Sequence, residues 1–455
     1  DDTGSRGLGD VYKRQVKDMV IQNKERITEA LNTDFGARSP NQSLISDVYG
    51  VLPAFSHAKK HLKSWMRDEK RKSNFPFGLM GAKSYIHREP LGVVGMISPW
   101  NFPMYLSLAP LAGIFSAGNQ VMHKPSEFTP ITSELLKEIC DSAFDETEFA
   151  TFLGGPDVGA AFTQLKFDHL LFTGSGNIGK HVMRAASENL VPLTLELGGK
   201  SPVIVSESSN IDITARRVMF NKTLNAGQIC LAPDYVYVHE TEKDNFVEAC
   251  KNQVNEFYSD LKYNPDYTSV INQKHYDRLN GLLADAKDHG AELVEINPAN
   301  EDFSQQESHK IPPTLVLNPT DEMQIMKEEI FGPLLPIKTY KDINEPINYI
   351  NKNDKPLGLY YFGNNKNEEA KVVNSTTSGG VTVNDIMGHI QQNELGFGGV
   401  GPSGMGKYDG FDGFMNFSNN KPIYKQIGFG LDKLLDAIRP PYKGSIEDVL
   451  KKLLK

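Results

Sequence analysis

Residues 90–122 carry no formal charge, and how the chain disposes of that run decides what it can fold into. The run is long enough to cross a bilayer as a helix. But Pro90, Pro99, Pro103 and Pro110 interrupt it, together with Asn101, Asn119 and several glycines. An interior proline removes a helical hydrogen bond and clashes with the preceding turn. The run therefore reads as a buried strand (LGVVGMIS, 91–98), a loop, and a helix over 104–118. The same order recurs downstream. GNQVMHKPS holds a short strand ending at Lys124-Pro125, a helix is predicted over 130–143, and FDHLLF reads as the next strand. After Lys200 the alternation continues with SPVIVS, a helix over 210–226, DYVYVHE, helical stretches at 241–257 and 272–289, and KPLGLYYF. Strands alternating with helices build parallel sheets. The expected fold class is α/β, with two open Rossmann-like lobes meeting near residue 197 and helices at 16–32 and 41–70 ahead of them.

A chain of 455 residues exceeds one ordinary core, so two or three domains are expected. With 39% hydrophobic and 23% charged residues it reads as a soluble globular protein. The net charge of −9 argues against a nucleic-acid partner, which favours a basic face. Cys140, Cys230 and Cys250 cannot all pair within one chain, and no leader pattern opens it. A reducing, cytoplasmic setting is expected. The first fifteen residues start at Asp1 and lack periodicity, so they read as a non-native or incomplete start. Near the other end, Leu431, Leu434, Leu435 and Ile438 recur at helical spacing, as do Ile446, Val449, Leu450, Leu453 and Leu454. Docking of this tail on protein is the expectation, with membrane contact the lesser alternative.

Two motifs point elsewhere on first reading. GSGNIGKH (174–181) nearly matches a phosphate-binding loop, but His181 replaces the hydroxyl that should hold Mg²⁺. Its strand–turn–helix context suits a dinucleotide as well as a plain tight turn. His57 and His61 lie i, i+4 on a predicted helix, a spacing that can hold a metal. Lys59, Lys60 and Lys63 surround them, so a solvated face is the reading, and no metal is expected.

Glu196, between leucines before a Gly-Gly turn, is either a salt-bridge partner or a partly desolvated general base. Cys230 in NAGQICLAPDY is either an inert buried thiol or a nucleophile that needs nearby positive dipoles. Neither residue decides the matter alone.

Their company does. SPWNFP (98–103), KPSE (124–127), LFTGS with Gly179, LELGGK (195–200), GQIC (227–230), EEIFGP (328–333) and GFGGVGPSGMG (396–406) together resemble the aldehyde dehydrogenase superfamily. CLAPDYV, KPLGLYYF, VNDIMGH and RPPY look most like its class 3 and coniferyl-aldehyde branch. The resemblance implies oxidation of a medium-chain aliphatic or aromatic aldehyde to the acid with NAD(P)⁺. It makes Cys230 the nucleophile, the Asn101 amide and the Cys230 N–H the oxyanion hole, and Glu196 the base that releases the acid. For the cofactor it implies Lys124 and Glu127 at the adenosine ribose, and Gly174, Ser175 and Gly179 near the pyrophosphate. Pro99, Trp100 and Leu197 would border the cofactor, with Glu329 on the nicotinamide ribose and Phe331 by the ring. Glu127 would repel a 2′-phosphate, so NAD is expected first and NADP remains open.

By the same resemblance, residues 1–72 and 91–197 would bind the cofactor and 198–395 would form the catalytic domain. Residues 73–90 and 415–430 would make a dimerising arm, with 431–455 a tail, and a homodimer is expected. This chain departs from the common family pattern at Ala109-Pro110, a change that fits the class 3 branch and bears on access to the site. It departs also at Leu395 to Gly399 and at Asp409, both near the expected substrate mouth. The competing readings are an acylating enzyme that passes the thioester to coenzyme A, and a structural protein of the same fold. Glu196 disfavours the first, and the intact Asn101, Glu196 and Cys230 disfavour the second.

Overall fold

The structure, a computed structural model, describes residues 15–75, 77–426, 439–440, 447 and 451. It resolves into two compact units, Asp1–Trp65 with Pro90–Phe417, and Met66–Glu89 with Ser418–Lys455.

The larger unit holds two sheets. The uncharged run supplies Val93–Ile97 at the heart of a six-stranded sheet, flanked by His169–Thr173 on one side and Gln120–Lys124 on the other. Phe149–Thr151 extends one edge; Leu193–Glu196 and then Gly404–Met405 extend the other. All pairings in this sheet are parallel except the last. Val94 and Met96 are fully buried, which is why the strand needs an apolar run and not an alternating one. At Gly95 a Cβ would come within 2.6 Å of the Phe167 ring, so only glycine fits there.

The seven-stranded sheet runs Glu292–Glu295, Thr314–Leu317, Leu334–Tyr340, Tyr235–His239, Pro202–Val205, Gly358–Phe362, Gly380–Val383. It too is parallel apart from one antiparallel edge strand, Glu292–Glu295. The chain leaves the first sheet at Glu196 and enters the second at Pro202. Mixed α/β architecture with parallel sheets is thus the fold, as the alternation of the sequence implied.

Several elements depart from the expected bounds. The helix over 104–118 is two, Pro103–Leu108 and Leu111–Ser116, because Pro110 sits at the break. The helix over 41–70 is four pieces: Pro40–Ser43, a π-helical turn Leu44–Val48, a 3₁₀ turn Tyr49–Val51, and Leu52–Trp65. The distorted turns drive Asp47 inward, where its carboxylate finds partners described below. The helix over 16–32 is likewise interrupted near Asn23 and resumes as Lys24–Phe35.

The smaller unit contains a three-stranded sheet, Glu69–Arg71, Lys83–Pro90 and Ser418–Lys425, in that order. Its first pair is antiparallel, with Lys70 opposite Tyr85. Arg88 donates to Arg67 O at 3.1 Å and pairs with Glu69, while Lys421 donates to Glu89 at 2.5 Å. The first fourteen residues and the two apolar patterns of the tail lie outside the described residues. No helix among the described residues is long and apolar enough to cross a membrane.

Candidate active site

A cavity of about 1160 Å³ opens within the larger unit. Pro99, Trp100, Asn101, Gly174, Ser175, Gly179, Glu196, Leu197, Cys230, Glu329 and Phe331 all line it, although they come from five separate stretches of sequence. Lys124 and Glu127 do not line it; they pair with each other, Lys124 Nζ to Glu127 Oε2 at 2.9 Å.

Cys230 is delivered by strained backbone. The helix Ile211–Thr223 gives way to a tight turn, Leu224–Gly227, in which Asn225 (φ 50°), Ala226 (φ 51°) and Gly227 (φ 70°) are all left-handed. Such conformations persist only where surrounding structure imposes them. At Gly227 a Cβ would lie 2.3 Å from Gly332 O, so the backbones of two loops meet there. The half-buried thiol of Cys230 faces the cavity. Burial pushes its pKa up to about 12, and the carboxylates of Glu329 and Glu196 push the same way. The N–H groups of Cys230 and Leu231 act oppositely by favouring the thiolate.

Asn101 is held at both ends. Its Nδ2 donates to Gln228 O at 3.1 Å, and its own carbonyl accepts from Arg38 Nη1 at 2.8 Å and Asn225 Nδ2 at 3.1 Å. Gln228 is itself fixed, donating to Asn225 O and Ser269 O and accepting from Ile271 N. Arg38 and Asp47 form an ion pair at 2.6 Å with neither side chain exposed. Asp47 Oδ1 also accepts from the N–H groups of Met104 and Tyr105, which start the helix after Asn101. The loop that carries Asn101 is therefore pinned by charge from the distorted turns of residues 44–51.

Glu196 ends the strand Leu193–Glu196 and is 2% exposed. Neither carboxylate oxygen has a hydrogen-bond partner. Burial raises its pKa well above the carboxylate range; Asp409 adds to that and Lys407 opposes it. The glycine-rich segment packs its backbone against this group, and a Cβ on Gly398 would stand 3.1 Å from Glu196 Oε1. Asp409, which also lines the cavity, is pushed up to about 7 by burial.

At the other end of the cavity, Ser175 caps the helix Gly176–Ser187, its side chain accepting from Ile178 N at 3.4 Å. A Cβ on Gly179 would come within 2.8 Å of Leu197, and one on Gly174 within 2.7 Å of Phe172. The helix N-terminus is thus open to an anion. Glu329 Oε1 is buried without a partner, and burial, helped by Asp234, pushes this carboxyl up to about 8. Arg278 holds the loop by donating to Ile330 O at 2.6 Å. Trp100 meets Phe331 edge-on at 5.5 Å between centroids.

Sequence reasoning missed Arg38, Asp47, Asn225, Gln228 and Arg278. It also missed Lys222, a buried cation that donates to Pro233 O at 2.8 Å and is pulled down to about 7 by burial. The one available signal was Asn-Ala-Gly before Gln228, since asparagine and glycine tolerate left-handed backbone.

Residues 12–423 match the model of the aldehyde dehydrogenase family. A probable coniferyl aldehyde dehydrogenase of Caulobacter vibrioides is 53% identical over 434 residues, covering 95% of this chain and 89% of that protein. A coniferyl aldehyde dehydrogenase of a Pseudomonas species is 50% identical over 436 residues, with 96% and 89% covered. Among solved structures, the substrate-bound state of Staphylococcus aureus AldH superposes with a TM-score of 0.90 at 37% identity, covering 100% of this chain and 95% of that one.

Proposed function

The chain belongs to the aldehyde dehydrogenase family, and we propose that it oxidises aromatic and cinnamyl-type aldehydes with Cys230, Asn101 and Glu196 as its chemical groups. As a member of that family it is an NAD(P)-dependent enzyme that oxidises aldehydes. The observation that carries the assignment of roles is that one cavity brings together a thiol, a buried carboxyl with no hydrogen-bond partner, and an anchored amide. The likeness to coniferyl aldehyde dehydrogenases supports the substrate class.

In the proposed reaction the Cys230 thiol gives its proton to water in the cavity, and the resulting thiolate adds to the carbonyl carbon of the aldehyde. Oxygen takes up the negative charge in front of the Cys230 N–H and the Asn101 amide, whose second N–H is not needed by Gln228. Donors fixed in advance at that position stabilise the developing oxyanion without reorganising. When bound, NAD(P)⁺ supplies the hydride acceptor. Cys230 is left carrying an acyl group as a thioester. Glu196 then takes a proton from water, the water oxygen attacks the acyl carbon, and the Cys230 thiolate leaves with the C–S electron pair. Burial makes the ionised Glu196 a stronger base than a solvated carboxylate.

The cavity fits a dinucleotide on this chain's own features: a capped helix end beside glycines where side chains would clash, and an orphaned Glu329 oxygen. Gly174, Ser175 and Gly179 would hold the pyrophosphate, with Leu197, Pro99 and Trp100 along the channel. Glu329 would take the nicotinamide ribose and Phe331 would pack near the ring. Lys124 and Glu127 would meet the adenosine ribose from beyond the lining. Glu127 would oppose a 2′-phosphate, which makes NAD the preferred cofactor. Residues up to 197, the arm excepted, would serve the cofactor and 198–395 the substrate. The three-stranded sheet of the smaller unit would join two copies as a homodimer, which light scattering tests. Three free thiols suit a cytoplasmic setting.

The deciding assay follows NADH formation with aliphatic, benzylic and cinnamyl aldehydes. The proposal expects kcat/KM to be highest for the cinnamyl members and acid as the product. A profile that rises only with aliphatic chain length would overturn the substrate class.

A further inference from the structure

Outside the cavity lining, one side-chain cluster among the described residues carries metal-ligating chemistry. His57 and His61 lie one turn apart on the helix Leu52–Trp65, and the sequence alone leaves them on a lysine-rich face. The fold changes their surroundings. Glu394, remote in sequence, brings Oε1 to 3.4 Å from His57 Nε2 and 3.8 Å from His61 Nε2. Donor atoms of all three residues lie within 4.8 Å of one another.

We propose that His57, His61 and Glu394 bind a divalent transition metal of the zinc class. Two imidazoles and a carboxylate are a donor set that such an ion takes, with water completing a tetrahedron. Bonds of about 2.0–2.1 Å to nitrogen and oxygen place neighbouring donors of a tetrahedral ion about 3.3 Å apart. The nitrogen–oxygen separation at His57 is close to that edge and the one at His61 is somewhat longer, so the side chains must draw together to close on an ion.

The site is also supported from behind. The two imidazoles lie 4.5 Å apart between centroids, and His61 stacks on Trp65 at 6.0 Å with an interplanar angle of 18°. Trp65 is itself packed against Phe411 and Phe414. His57 is 12% exposed at its side chain and His61 31%, so both rings have lost much of their freedom before any ion arrives. Preorganised ligands lower the entropic cost of binding. Lys60 is the counter-argument, since its charge bears on His57; the Glu394 carboxylate opposes it. Hard cations such as Mg²⁺ and Ca²⁺ prefer all-oxygen shells and are not the class expected.

The site would also matter to the cavity. Pro53 and Ala54, one turn before His57, line the cavity, as do Gln391 and Asn393 just before Glu394. A bound ion would clamp these two parts of the wall together.

Titration calorimetry with ZnCl₂ on tag-free protein tests this. The Cys230→Ala variant serves as the parent, because a cavity thiol also binds zinc. One ion per chain is expected, together with a zinc-dependent rise in Tm. Affinity should fall by about tenfold or more in both His61→Ala and Glu394→Gln on that background. Glu394 is 74% exposed at its side chain, so its substitution leaves the core untouched, and Tm in EDTA verifies that each variant folds. An absence of saturable binding by the parent, or unchanged affinity in either folded variant, would overturn the site.

Discussion

Cys230 and Cys250 occupy opposite situations, and their likeness in one respect is instructive. Burial raises the thiol pKa of both, and of Cys140 as well, so ease of ionisation does not single out the proposed nucleophile. Cys250 lies within the helix Lys243–Phe257 and is fully buried in apolar packing. Cys230 instead sits beyond a left-handed turn, opens onto the cavity, and has two backbone N–H groups that favour its thiolate. What sets the proposed nucleophile apart is its place beyond strained backbone, in a space with oriented donors. Burial by itself favours the neutral form of this thiol.

The largest effect that tests this contrast is Cys230→Ala, which should lower kcat by at least about 10³-fold, while Cys250→Ala retains turnover. Steady-state NADH formation checks both. Next, Glu196→Gln should slow acid release by about 10²–10⁴-fold, as loss of a general base does, yet leave a burst of NADH on mixing. Full retention of steady-state rate, or acyl-CoA as the main product when coenzyme A is present, would assign the deacylating role elsewhere. Asn101→Ala should cost about 10²–10³-fold in kcat through loss of one oxyanion donor.

A fourth test reads the thiol itself. Alkylation of ligand-free protein by iodoacetamide should label Cys230 alone and accelerate by about tenfold per pH unit across the neutral range. The sign follows from the raised pKa: the thiolate is scarce below about 12 and gains as pH rises toward it. A rate already saturated at pH 7 would contradict the burial argument. Smallest in catalytic terms but visible in stability, Arg38→Met should cost about 3–5 kcal/mol by leaving Asp47 buried without its partner. Chemical denaturation measures this loss.

The sequence disclosed the α/β alternation because buried parallel strands must be apolar throughout, as at Val94 and Met96. Motifs that only jointly meant anything pointed to Cys230, Glu196 and Asn101, which the fold brings to one cavity. The sequence could not disclose Arg38 with Asp47, because nothing local says that residues 44–51 will turn a carboxylate inward beneath residue 101. Nor could it pair Glu394 with two histidines far upstream, so the helix face of His57 and His61 read as merely solvated. The break at Pro110 was visible as a proline yet was spanned by one expected helix. Long-range electrostatic partners leave no periodic trace, whereas burial does.

The most direct measurement is mass-spectrometric mapping of the acyl group trapped on Glu196→Gln enzyme after mixing with cinnamaldehyde and NAD⁺. The account predicts one cinnamoyl group per chain, on Cys230, formed with one equivalent of NADH. NADH formed without any acyl adduct on Cys230, or an adduct on another residue, would contradict it.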